Sequence, residues 1–217
     1  MHYEILVEGQ SELTLLSTIM PQILGAYREP HTWKIHKHRG IGKLPEDMNA
    51  HPKQTDQTLL HNLPAKLRAY GRCEDDQLVV IVLVDLDNRS DCRVFKKMLL
   101  HTLDFCPQRP RCLFRIAIEE LEAWMLGDRQ ALLAAYPNIN LEILNTYVQD
   151  SQCRTWELLM RAIYGETAFQ QHRSLGVMHL KTDMAKNVSK HMVVDNNCSA
   201  SFQEFCKGLK NMQYSAP

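Results

Sequence analysis

The residue pattern predicts an α/β protein, a mainly parallel sheet flanked by helices with a helical C-terminal section. Three observations carry this. Strand-like and helix-like periodicities alternate through the first 125 residues or so. One run, Leu78–Val84 (L-V-V-I-V-L-V), is apolar without interruption, as in a central parallel strand covered on both faces. Beyond Gly127 the strand signals fade and helical spacing takes over. The expected division is an α/β core over residues 1–130 and a helical section over 131–217 packed on the same domain.

His2–Val7 is a short β-prone run that meets Glu8-Gly9-Gln10 abruptly. Ser11 is positioned to cap a helix reaching about Leu24, with Leu13, Leu16, Ile19, Met20 and Ile23 at helical spacing. Thr32–His38 alternates like a strand, with Trp33 and Ile35 on one side. Arg39–Lys53 contains Gly40, Gly42, Pro45 and Pro52 and reads as a loop. A helix is expected over Gln57–Tyr70, with Pro64 a point of interruption. After the apolar strand, Cys92–Leu103 reads as a helix, Cys112–Ile118 as a strand, and a further helix is expected to start near Glu119. Arg129–Tyr136, Thr155–Tyr164, Asp183–His191 and Ser201–Met212 complete the helical pattern.

With 25 basic and 25 acidic residues the formal net charge is zero, which excludes a broadly cationic nucleic-acid coat and an acidic disordered chain. The hydrophobic share of 45% and charged share of 23% are those of a soluble globular protein. Met1-His2-Tyr3-Glu4 lacks the features of a signal peptide, and the longest apolar run is far too short for a membrane span. Seven scattered cysteines include no closely spaced pair, so reduced thiols in a cytoplasm are expected.

The chemistry-bearing residues are acidic and fall at the carboxyl ends of three expected strands. Glu8 follows the first, with Glu12 one helical turn later; Asp85 and Asp87 follow the apolar run; Glu119, Glu120 and Glu122 follow the third. In open α/β sheets, ligands bind beyond the strand carboxyl ends. Carboxylates gathered there repel one another unless a cation neutralises them. Mg²⁺, or Mn²⁺, suits such a set, because it binds through a few carboxylates, keeps waters and accepts phosphate oxygens. Zinc suits it less, since no His or Cys cluster has ligand spacing. The matching chemistry is metal-dependent phosphoryl transfer. Each acid also has a structural reading: Glu8 and Glu119–Glu122 could favour helix N-termini, and Asp91 could cap the helix at Cys92.

Between Arg28 and Lys43 stand five basic residues and one acid. Lys34, Lys37, Arg39 and Lys43 are the candidates for contacting nucleic-acid phosphates, which a local stripe can do without net basic charge. The alternative is a solvated edge. His36 and His38, two apart on a strand, could form a metal pair, though a nucleic-acid-facing basic strand is the preferred reading. Trp124, Met125 and Leu126 read as core, and Cys92 has no adjacent base to make it a nucleophile.

At these acids the chain resembles the Toprim fold of topoisomerases, primases and overcoming-lysogenization-defect nucleases, whose hallmarks are a glutamate after the first strand and a D-x-D after a later, very apolar one. More closely, V-E-G-Q-S-E, D-L-D-N-R-S-D-C and R-I-A-I-E-E-L-E-A-W-M-L-G-D resemble the bacterial family catalogued as domain of unknown function 4276. The likeness extends loosely to K-T-D-M-A-K from Lys181. It implies a Mg²⁺-dependent nuclease acting on DNA or RNA, with an ATPase partner in a phage-defence system. Glu8, Asp85 and Asp87 would form the core metal site, and Glu12, Glu119 and Glu122 would surround a second ion. Glu119 and Glu122, three apart, would share a helix face while Glu120 points elsewhere. Lys181 would touch a phosphate or leaving group; its other reading is a solvated surface lysine. Two other functions stay open: a non-catalytic docking subunit of an ATPase complex, and a metal-dependent phosphatase on small nucleotides. No G-x-x-x-x-G-K-[ST] motif is present, so NTP hydrolysis would have to come from another chain.

Overall fold

The computed structural model describes residues 1–151, 154–172 and 177–213. Its frame is a four-stranded, all-parallel sheet in the order β2-β1-β3-β4, formed by β1 (His2–Val7), β2 (Thr32–Lys37), β3 (Leu78–Asp85) and β4 (Cys112–Ala117). The expected α/β class, parallel sheet and helical C-terminal part are all present.

The register explains why Leu78–Val84 has no polar residue. β3 lies between β1 and β4, with Ile5 opposite Ile81 on one side and Val82 opposite Phe114 on the other. Val79, Ile81 and Leu83 enter one apolar cluster, while Val80, Val82 and Val84 enter the cluster on the opposite face. A strand covered twice gains from apolar side chains at every position.

The first cluster lies under α1 (Gln10–Leu24) and the C-terminal helices, joining Tyr3 and Ile81 to Trp124, Met184, Phe202 and Leu209. Trp124 is fully buried and donates its indole N–H to Ser201 Oγ at 2.9 Å, which satisfies its polar edge. The second cluster is covered by α2 (Leu59–Gly71) and α3 (Cys92–His101), through Leu63, Leu67, Phe95 and Leu99. α2 runs through Pro64 without ending there.

Local chemistry corrects two expectations. α1 starts from Gly9 with no side-chain cap, so neither Ser11 nor Glu8 caps it. The helix expected near Glu119 starts at Glu122 instead (α4, Glu122–Leu126), because Glu119 takes a left-handed φ of 69°. Asp91 does cap α3, accepting from Arg93 N at 2.7 Å and Val94 N at 3.1 Å. Asp91→Ala is therefore expected to lower the urea midpoint, as cap removal does, and to leave the acidic site intact.

Downstream lie α5 (Arg129–Ala135), a short α6 (Leu141–Leu144) with no counterpart in the sequence reading, α7 (Thr155–His172), α8 (Val177–Ser189) and α9 (Ala200–Met212). α7 kinks at Gly165, whose φ of 81° suits a residue without a Cβ. Six cysteines carry free thiols, and Cys153 lies outside the described residues. Among the described residues no helix is long and apolar enough to cross a membrane.

Candidate metal and phosphate site

The parallel sheet brings the first two acidic motifs together. Because β1 and β3 are neighbours in register, their carboxyl ends coincide, and the amide of Asp85 donates to Glu8 Oε1 at 2.8 Å. Glu12, one turn into α1, is buried beneath them; Glu122 at the start of α4 is 1% exposed and Asp85 8%. The charges of Glu8, Glu12 and Glu122 all bear on Asp85.

Burial is the largest influence on each of these groups, and neighbouring acids add to it. Glu8 is pushed up to about 8 by burial and by Glu12 and Asp87, against the opposing Asp85 amide and Arg89. Burial, Glu8, Glu12 and Glu122 raise Asp85 well above the usual carboxylate range. Burial and Glu122 raise Glu12; burial and Glu120 raise Glu122, opposed by Lys181. The Oε2 atom of Glu12 has no hydrogen-bond partner.

Lys181 is not a solvated surface lysine. Its ammonium lies 3.4 Å from Glu122 Oε1 and 5.4 Å from the centroid of the Trp156 ring, and its side chain is 23% exposed. Burial works against its charge, but Glu122, Glu120, Asp85 and Glu12 together hold it protonated. The nearby acids thus outnumber this cation.

The two acids of D-x-D have different surroundings. Asp87 is 41% exposed, and its Oδ2 is paired with Arg89 at 3.2 Å; the Arg89 guanidinium lies 4.2 Å from the Phe95 ring centroid. Asp87 has a left-handed φ of 51°, and its amide donates to the carbonyl of Glu119, also left-handed, at 2.8 Å. Two non-glycine residues in this region, hydrogen-bonded to each other beside buried acids, form a local concentration of backbone strain.

Glu119 and Glu120 each engage a hydrogen-bond donor outside the acidic cluster, although the charge of Glu120 still bears on Glu122 and Lys181. Glu119 Oε2 accepts from the Tyr147 hydroxyl at 2.7 Å. The expected shared helix face with Glu122 does not form, because Glu119 precedes the helix. Glu120, dismissed by the spacing argument, accepts from Thr155 Oγ1 at 2.8 Å and Trp156 N at 3.1 Å. It thereby caps α7 and fixes the aromatic platform under Lys181. Glu120→Ala is expected to cost about 1 kcal/mol in chemical denaturation by loss of the cap.

The basic residues are divided by geometry. Lys34, Lys37, Arg39 and Lys43 are all exposed, but strand alternation puts Lys34 and Lys37 on opposite faces of β2. Arg39 and Lys43 belong to the loop that passes the site, where the Gly40 amide donates to the Glu8 carbonyl at 2.9 Å. Gly42, with φ of 65°, holds this loop against α2: a Cβ there would lie 1.9 Å from Thr58 Oγ1. His36 pairs with Glu4, and His38 meets the Val7 carbonyl at 2.8 Å, so the two imidazoles do not form a metal pair.

Among the described residues, no group of three or more His, Cys, Asp or Glu side chains is arranged to hold a metal ion as it stands. The donor set nevertheless suits a hard divalent cation: its oxygens are all carboxylate, one is orphaned on Glu12, and mutual repulsion opposes full ionisation. Glu8, Asp85, Glu12 and Glu122 are the residues that would hold it. Binding would require release of the protons that burial favours.

An all-parallel α/β sheet with buried acids gathered at its carboxyl edge defines the class of this protein. A family model described as "Domain of unknown function (DUF4276)" matches residues 7–210, and the chain belongs to that family. No curated protein and no solved structure matches it.

Proposed function

We propose that this chain is a Mg²⁺- or Mn²⁺-dependent phosphodiester hydrolase acting on DNA or RNA. The observation that carries the reading is the gathering of Glu8, Glu12, Asp85 and Glu122 at the carboxyl edge of the sheet, with Lys181 beside the last three. A glutamate after the first strand and a D-x-D after the apolar strand resemble the Toprim arrangement, which supports the same chemistry.

A bound divalent cation supplies Lewis-acid stabilisation of the phosphate and an activated water. Glu8 and Asp85 are its core holders. Asp87, paired here with Arg89, would complete its holders, and Glu12 and Glu122 would serve a second ion. Glu119 is omitted from this set, since Tyr147 engages its carboxylate. In the metal-free chain, burial, Glu12 and Asp87 favour a proton on Glu8, which cation binding would displace. Glu122 and Trp156 orient Lys181 toward a substrate phosphate, and Arg39 and Lys43 meet the polynucleotide backbone beside Glu8. Lys37, at the carboxyl end of β2 opposite Val7, extends that contact, and Lys34, on the other face, does not. In an ATPase-linked phage-defence system this chain would be the cutting component, with NTP hydrolysis on its partner.

The test is calorimetric titration with Mg²⁺ and Mn²⁺, paired with cleavage assays on DNA, tRNA and nucleotides. Wild type is expected to bind metal and cut a polymer, and Glu8→Ala to abolish cutting while remaining folded by circular dichroism. No binding at millimolar metal would instead favour a docking subunit of an ATPase. Nucleotide turnover without polymer cleavage would favour a small-molecule phosphatase.

A further inference from the structure

β4 is an outer strand, and a groove of about 350 Å³ runs along it between the first turns of α3 and α9. Parallel pairing uses alternate residues of an edge strand. Val80 N donates to Arg111 O and Leu86 N to Ala117 O, both at 2.9 Å, so the odd-numbered residues of β4 face β3. The amides and carbonyls of Phe114 and Ile116 consequently face outward, into the groove. At its far end the Ile118 amide donates to Ser201 Oγ at 3.2 Å, which closes the open edge there.

The groove has an apolar floor of Phe114, Ile116 and Ile118. Its rim is charged asymmetrically. On the α9 side, Arg115 packs over Gly208 and donates to the carbonyls of Glu204 and Phe114, both at 3.0 Å, while the Glu204 carboxylate lies 3.8 Å from Lys207. On the α3 side two cations, Arg93 and Lys96, line the groove, with the capping Asp91 beside Arg93. An open sheet edge supplies main-chain hydrogen bonds to an extended chain, and alternate side-chain pockets supply specificity. Here the apolar floor suits alternate aliphatic residues and the cationic rim suits acids between them.

We propose that this groove docks an extended acidic segment of a partner protein, which adds to β4 as a fifth strand. The site is separate from the acidic centre and does not depend on the proposed hydrolase activity. A duplicate chain is disfavoured as occupant, because two copies meeting edge to edge would bring Arg93 and Lys96 toward their equivalents.

The probe is a fluorescein-labelled peptide of alternating Val and Glu, about eight residues long, a length one sheet edge can pair. Fluorescence anisotropy on the full chain is expected to give saturable, salt-weakened binding. A Val/Lys peptide, and a Val/Glu peptide N-methylated on alternate amides, are expected to bind about tenfold more weakly or worse. Lys96→Glu should weaken the acidic peptide by about tenfold, and Ile116→Pro, which deletes an outward amide, by a similar factor. If Ile116→Pro lowers the melting temperature, the N-methylated peptide on wild type still tests strand pairing. Equal binding of the N-methylated and unmodified peptides would overturn the proposal, as would absence of saturation at millimolar peptide. So would a single-stranded oligonucleotide that binds and is lost on Lys96→Glu while the peptide does not bind. Self-association abolished by Ile116→Pro would assign the edge to a second copy and overturn it as well.

Discussion

Asp85→Asn is expected to lower divalent-cation-dependent cleavage by about a thousandfold or more and, in the same molecule, to raise the melting temperature of the metal-free protein at pH 8. The two effects have one cause. Asp85 is buried at the tip of an apolar strand, facing the charges of Glu8, Glu12 and Glu122. In the unfolded chain at pH 8 its carboxylate is ionised in water at no cost. In the folded chain it must either retain a proton against the solution pH or ionise among other acids. Asparagine keeps nearly the same shape and can keep the backbone amide that Glu8 Oε1 accepts, but it has no proton to retain. The sign of the change follows from the raised pKa of Asp85: the folded chain gains on losing a charge that burial and its neighbours disfavour. A residue serving only to hold the fold would behave in the opposite way, losing stability on replacement. Groups placed for function at the expense of the apo state are the ones whose removal stabilises. Calorimetry at pH 8 with chelator, beside a cleavage assay with Mg²⁺, decides the matter. Unchanged cleavage, or a lowered melting temperature, would remove Asp85 from the site.

The contrast between Asp85 and Glu119 also marks what was legible before the fold. Leu78–Val84 declared a central strand because burial on both faces leaves no position for a polar residue, and the strand ends then located Glu8 and Asp85. What stayed hidden depended on backbone sign or on partners distant in the chain. Three glutamates within four positions read as a helical first turn, and residue types alone do not show that Glu119 turns left-handed and yields its carboxylate to Tyr147. Glu120 serves a helix that begins 35 positions later, at Thr155, so no spacing rule around Glu120 finds it. The solvated alternative for Lys181 stayed open because Glu122 and Trp156, which bury it, lie on other helices. The outward edge of β4 was equally invisible, since edge or centre is a property of strand order. The zero net charge conceals two opposed features, a buried acidic cluster and an exposed basic loop passing beside it.

Metal-free stability is expected to fall as pH rises from about 5 to 8, by on the order of 3 kcal/mol, the reverse of ordinary carboxylate behaviour. Glu8, Glu12, Asp85 and Glu122 all have folded pKa values above their unfolded ones, with Glu8 at about 8. Between the two values the folded state binds more protons than the unfolded state, and stability declines with pH throughout that interval. Other groups act differently. Glu4 is lowered by its bonds to His36 and His2 despite its burial, and contributes stability that is lost only as pH falls through its folded value. Burial lowers His31 and His38, which adds stability on passing upward through the histidine range and partly offsets the decline. Lys181, held protonated by the surrounding acids, contributes a constant amount until strongly alkaline pH. Burial raises Glu157 as well, and five acids against two imidazoles leave the decline dominant. If the site takes a divalent cation as proposed, the cation is expected to reverse it, because binding to the ionised carboxylates would displace those protons. The shift in melting temperature between Mg²⁺ and chelator should therefore be small at pH 5 and largest at pH 8, and Asp85→Asn should flatten both curves. Melting curves at five pH values with and without Mg²⁺ make the measurement. A metal-free stability that climbs from pH 5 to 8 would mean that the acids are ionised and solvated, leaving a cation nothing to relieve.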